Sequence, residues 1–295
     1  MISRELSFDL LGVPGRWRRG LGDRDHLALV PMEFRPIAFR RDIMSPALSP
    51  FLGQMGTALL LLAEALRSIS SGAANVAFLA GTGLTIATAL WWLYRVSSTS
   101  FGFGIVTPGR LVPGIAMLCI GLLSPTLGYE VLGAPAMVIG LVLSLLSAVA
   151  LVGRFIKGPP LPRPALPALT IAIAVPGLLM IWVAAYEPGW NVVGSTLYWV
   201  TLLGYVLGLL GFAIACLRVP FAVSWWGFGL PLTAASIGMV QADAAFHLPF
   251  SSVAANTTAF LCVCITAILA MRACRSGWLQ VRRLVAASGF LTAER

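Results

Sequence analysis

VLGAPAMVIGLVLSLLSAVALVG, residues 131–153, holds no Asp, Glu, Lys or Arg and is closed by Glu130 on one side and Arg154 on the other. A helix of about 20 apolar residues covers the roughly 30 Å of hydrocarbon in a bilayer. One charge at its centre would cost about 2.5–3.5 kcal/mol on insertion scales. The stretch reads as a membrane span, and it does not stand alone. Outward from it, further charge-free runs cover 43–63, 68–94, 111–129, 164–186, 188–217, 219–242 and 244–271. The chain is 58% hydrophobic and 11% charged, with mean hydropathy +0.90. These values predict an all-α polytopic membrane protein of about eight spans, with the lipid bilayer as its first partner.

The arginines give an orientation. Eight basic residues precede the first run; Arg95 and Arg110 follow the second; Arg154, Lys157 and Arg163 follow the fourth. Arg218 follows the sixth, and five more follow the last. Only Arg67 lies on the other side, a split of 19 against 1 that predicts cytoplasmic termini in a cell inner membrane. The net charge of +9 is thus mainly an orientation signal, able also to hold the tails against anionic lipid, and nucleic acid is not expected as a partner. The chain divides into a basic cytoplasmic segment (1–42), a transmembrane domain (43–274) and a cytoplasmic tail (275–295). Residues 1–30 hold no apolar core of the kind a cleaved signal needs, so the first span is expected to direct insertion.

The five cysteines suggest no disulfide framework. Cys262 and Cys264, about 200° apart around a helix, cannot grip one metal from a single face and read as packing residues. No phosphate loop, zinc-protease motif or serine elbow is present, so neither an enzyme nor a cofactor is expected.

Short polar links (Ser68 to Gly72, LGYEVLG, EPGWN, ADAAFHLPFSS) pair the spans into antiparallel hairpins. The first member of each pair carries a proline: Pro50, Pro113, Pro176 and Pro231, spaced 63, 63 and 55 residues apart. Pro50 and Pro113 fall near cytoplasmic ends, whereas Pro176 and Pro231 lie centrally and are expected to kink their helices.

SWWGFGLPLTAAS (224–236) concentrates these features. Pro231 has no N–H, so the Gly227 carbonyl loses its helical partner. In lipid that loss amounts to several kcal/mol, so this face must meet protein or water. Thr233 adds a hydroxyl beside the half-helix that starts after the break, and Gly227, Gly229 and Gly238 allow close approach of a helix or a solute. Such elements suit either a midplane path for a weakly held anion or plain helix packing.

SWWGFGLPLTAAS also resembles the WW-x-x-(T)-F-P segment of the tellurite-resistance/C4-dicarboxylate transporter family, which includes the plant guard-cell slow anion channels. SPALSPFLGQMG (45–56), RLVPGIAMLCIGLLSPTLGYEVLG (110–133) and IKGPPLPRPALPAL (156–169) agree with it, and the resemblance spans roughly 31–275. It implies a ring of hairpins whose inner, proline-bearing helices line an anion pore, and association in threes as a homotrimer. Pro50, Pro113, Pro176, Gly227, Gly229, Pro231 and Thr233 would line the pore. Where the family pattern has a plugging phenylalanine this chain has Leu230, a smaller gate, and Phe228 points about 200° away from it. VPMEFRPIAF (30–39) resembles the start of the family's first helix and runs straight into RRDIMSPALSPF, which resembles the lead-in to the third. On this reading the first hairpin is absent and a five-hairpin ring is one unit short.

Glu64, with Arg67 three residues on, reads as an interfacial ion pair or as the titrating group of a carrier. Asp243 and His247 read as loop residues, or His247 as a pH-sensing group at a pore mouth. The leading expectation is a channel or transporter for small inorganic anions or dicarboxylates. The alternatives are a proton-coupled dicarboxylate carrier using Glu64 and a non-conducting membrane scaffold.

Overall fold

The computed structural model describes residues 53–98, 102, 106–161, 163–187, 189, 191–219, 221, 223–248 and 250–292. Among them are eight α-helices and no strand: α1 Gly53–Leu66, α2 Ser71–Ser98, α3 Val112–Leu123, α4 Glu130–Lys157, α5 Ala174–Tyr186, α6 Asn191–Arg218, α7 Gly229–Phe246 and α8 Ser251–Thr292. They fall on the charge-free runs. The links turn where the chemistry allows: Gly128 takes φ +83° after α3, and His247 takes φ 46° after α7. Ser70 Oγ accepts the Ala73 N–H at 3.3 Å and caps α2. Pro50, the basic N-terminal segment and the 30–51 junction lie outside the described residues.

Five segments are long and apolar enough to cross a bilayer by length and composition: Ser71–Ser98, Glu130–Lys157, Ala165–Tyr186, Val192–Arg218 and Ser251–Arg275. The helix α8 then runs on to Thr292 without a break. The shorter or less apolar helices are α1, α3 and α7, which share the protein interior. Helix α1 packs on α3, α3 on α5 and α5 on α7, while α2, α4, α6 and α8 lie outside this row. Burial follows the same division. All of α3 except Met117 and Leu122 is buried, whereas only 22% of the α6 span and 28% of the α8 span is. The second member of each hairpin is thus the lipid-facing one.

The ends of the row are less covered. Helix α1 exposes Met55, Leu61 and Leu62, and α7 exposes Ile237 and Val240. Among the described residues, no seam comparable to those within the row joins α1 to α7. Among the described residues the inner helices form an arc with α1 and α7 at its ends.

Hydrocarbon gives little hydrophobic drive between helices, so close packing of small residues must hold them together. The seams between α1 and α2, α3 and α4, and α5 and α7 have that signature. A methyl at Gly56 would lie 3.0 Å from the Gly81 carbonyl oxygen, joining α1 to α2. Between α3 and α4, methyls at Gly114, Gly121 and Gly140 would each lie 2.7 Å from a backbone nitrogen of the facing helix. Methyls at Gly177 (α5) and Gly238 (α7) would each lie 2.9 Å from the other helix's backbone. Backbone meets backbone at all of these crossings.

The prolines take a form that differs from the expected kink. Three inner helices begin as 3₁₀ segments, Pro108–Leu111, Arg163–Ile173 and Val223–Phe228, and change to α-helix just before the proline. Pro113 is the second residue of α3, and Pro176 and Pro231 are the third residues of α5 and α7. In a first turn the missing N–H has no α-helical acceptor to lose. The 3₁₀ form also rises about 2.0 Å per residue against 1.5 Å, so Val223–Phe246 extends about 39 Å, enough to cross a membrane with few residues.

Gly140→Ala should lower stability by about 1–3 kcal/mol, because the added carbon meets backbone that cannot yield. Gly83→Ala, which meets nothing within 4 Å, should change it by less than about 0.5 kcal/mol. Thermal unfolding of the two purified variants in detergent checks the contrast.

Candidate anion path

The junction before Pro231 shows where the orphan carbonyl goes. Thr170 Oγ1, in the 3₁₀ run that leads to α5, lies 2.8 Å from the Gly227 carbonyl oxygen and 2.8 Å from that of Pro167. Its single proton serves one acceptor at a time, so the hydroxyl bridges two proline-adjacent turns. Gly227 permits the approach: a methyl there would lie 3.0 Å from Ala168 Cα. At the equivalent point before Pro113, the Gly109 carbonyl accepts the Val112 N–H, the shorter-range bond of a 3₁₀ turn.

Helix α7 presents two faces to two cores. Leu230 and Ala234, one turn apart, belong to the core cluster that runs through α1, α3 and α5 and holds Leu60, Ile115, Leu178 and Ile181. Phe228, Leu232, Ala235 and Met239 belong to the core cluster shared with α6 and α8, which also takes in Met180 of α5. Leu230 is half-buried on the side of the inner row. Phe228 is 1% exposed and stands edge-on to Phe212, ring centroids 5.1 Å apart, well away from that face. Pro231 and Pro113 are buried, and Pro176 is half-buried.

The polar groups named from sequence sit as follows. Thr233 donates back to the Gly229 carbonyl at 2.9 Å and lies 3.2 Å from Cys262 Sγ, so its hydroxyl is turned toward α8. Gly229 is half-buried and supplies that acceptor. Glu64 lies at the opposite end of the row. Its carboxylate is 2.9 Å from Arg67 Nη2 and accepts Thr126 Oγ1 at 3.3 Å, tying the end of α1 to the turn after α3. Tyr186, at the end of α5, donates to the Leu122 carbonyl at 3.2 Å and feels both charges. Glu64, Arg67, Thr126 and Tyr186 together form the rim of the inner row on the side with few arginines. Asp243 accepts Ser251 Oγ at the start of α8, and the His247 N–H bonds the Asp243 carbonyl at 3.2 Å, closing the link between α7 and α8.

Two contributors were not read from sequence. Thr170 is a lone hydroxyl in an apolar run; that such a group bonds some carbonyl is legible, but which carbonyl is not. Trp225 is fully buried, and the Arg272 guanidinium stacks over its ring 4.9 Å from the centroid, fastening the middle of α8 to the 3₁₀ run before α7. The doubled tryptophan was the available signal.

Proline-led inner helices behind an outer layer of apolar, exposed helices define an all-α multi-pass membrane protein. The family model for the SLAC1 voltage-dependent anion channels matches residues 27–274, most of the chain, and the protein belongs to this family. No curated protein matches the chain.

Thr170→Val should destabilise the fold by about 1–3 kcal/mol by leaving a carbonyl within the membrane without a donor, while Thr170→Ser should retain most of the stability. Melting temperatures in one detergent decide between them; equal values for the two variants would remove Thr170 from this role.

Proposed function

We propose that this protein conducts small inorganic anions along the inner faces of α1, α3, α5 and α7, with Leu230 at the narrow point. The observation that carries the reading is the division of α7, which turns Leu230 and Ala234 toward the other inner helices while Phe228 is held in the core shared with α6 and α8. A side chain at position 230 therefore reaches the row and one at 228 does not. Pro113, Pro176 and Pro231 shape the path by setting where each inner helix begins its α-helical part, with Pro50 as the fourth member. Gly227 and Gly229 serve the same junction, and Thr233 lies along it. The channel sits in the inner membrane with both termini cytoplasmic, as the arginine distribution favours, and assembles as a trimer.

The charge pattern favours an anion. Among the described residues the inner helices carry two acids, Glu64 and Asp243, each in the last turn of its helix, so none stands at the middle of the row. Glu64 is engaged by Arg67 and Thr126 at the rim, which supports the structural role over that of a proton carrier for dicarboxylates.

Chloride and nitrate efflux from proteoliposomes tests this directly. Leu230→Ala should raise efflux severalfold and Leu230→Phe should lower it. Glu64→Gln should leave efflux independent of an imposed pH gradient. Inserted, folded protein that passes neither anion in any of these forms would instead support the scaffold reading. Efflux driven by a pH gradient and lost in Glu64→Gln would support the carrier.

A further inference from the structure

Helix α7 carries one carboxamide, Gln241, which is half-buried and has no hydrogen-bond partner among the described residues. Its place on the helix is set by phase. At about 100° per residue, position 241 falls about 20° from both Leu230 and Ala234, about 16 Å and 10 Å further along the axis. Leu230 and Ala234 belong to the core of the inner row, where Ala234 is 4% exposed, whereas the intervening Ile237 is 46% exposed. Gln241 thus continues the face of α7 that Leu230 begins, at the margin between that core and open space. It stands five residues before the end of a run that extends about 39 Å, which puts it close to the boundary of about 30 Å of hydrocarbon. A carboxamide without a partner is strongly disfavoured in hydrocarbon, so this margin of α7 has to be wet.

The other polar groups at this end of the inner row are engaged. Glu64 pairs with Arg67 and accepts Thr126 Oγ1, Tyr186 donates to the Leu122 carbonyl, and Asp243 accepts Ser251 Oγ. Gln241 is the one with no partner among the described residues. We propose that its carboxamide is the group that contacts the anion and sets selectivity at the arginine-poor mouth of the path, an inference that rests on the conduction proposed above. The amide offers two N–H donors to an ion that has shed part of its water, while its own carbonyl turns to solvent. A neutral donor suits passage, since it replaces lost water without holding the ion as a fixed charge would. Chloride concentrates its charge on one atom and nitrate spreads it over three oxygens, so chloride loses more on dehydration and gains more from the donor. Gln241 therefore shifts the path toward chloride relative to what an apolar lining would pass.

Two measurements on the full chain in proteoliposomes test this. The nitrate-to-chloride efflux ratio should rise about fivefold in Gln241→Leu, the scale of one lost hydrogen bond to an ion, and stay within about twofold of the unaltered value in Gln241→Asn, which keeps the amide. An unchanged ratio in Gln241→Leu would overturn the proposal even where both fluxes fall together, because that pattern belongs to a merely structural residue. The second measurement needs no conduction. Gln241→Cys should react with a membrane-impermeant, sulfonate-bearing thiosulfonate beyond the background of the unaltered chain, and nitrate should slow the reaction severalfold relative to equimolar gluconate. Absence of reaction would set the side chain against lipid or protein, and a rate indifferent to nitrate would give it water but no anion; either result overturns the proposal. If the unaltered chain passes no anion, the channel reading falls and the labelling decides Gln241 by itself: protection by nitrate keeps it as an anion contact, and lack of protection removes it.

Discussion

The Gly227 carbonyl lies in the 3₁₀ approach to α7, four residues before Pro231, which has no N–H to offer it. Satisfying it from Thr170 draws the approaches to α5 and α7 together. That single bond needs a glycine at 227, because any side chain there would meet Ala168. It also needs both approaches to run as 3₁₀ segments, which bond carbonyls at shorter range and bring a proline to the first turn of the adjoining α-helix. Much of the inner row's geometry comes from this need to leave no carbonyl orphaned in hydrocarbon.

With the backbone satisfied, the helices still need a reason to stay together. Glycine supplies it at each of the seams between α1 and α2, α3 and α4, and α5 and α7, where methyls would strike backbone at 2.7–3.0 Å. The result is an inner row fastened to an outer layer whose apolar side chains are exposed. The row is an arc, with exposed apolar side chains on α1 and α7 at its two ends. Conduction through such an arc depends on what stands against those ends, which is why flux and Leu230 have to be measured together.

Charge is arranged with equal economy. The rim on one side is a closed set, Glu64 with Arg67 and Thr126, close to Tyr186. The other side carries the basic residues, among them Arg272, which stands over Trp225, and Arg154, which bonds three carbonyls.

Sequence alone determined the class, the spans and the family. Charge-free length is a one-dimensional property, and a bilayer reads it directly, so the eight runs became helices close to where composition placed them. The family came through in the same way, because its motifs are local and ordered along the chain. The orphan at Gly227 was also legible, since proline's missing N–H is a covalent fact. What the sequence left open was how each of these would be resolved. It suggested central kinks where the structure has 3₁₀ segments ending at the proline, because a proline's place in a helix depends on where that helix starts. It offered Thr233 as a hydroxyl beside the half-helix but did not show its partners, the Gly229 carbonyl and Cys262. Only the tertiary structure could assign Thr170 to Gly227, Trp225 to Arg272 and Leu230 to the inner face, because those pairings join residues from different helices and depend on the rotation of each helix within the bundle.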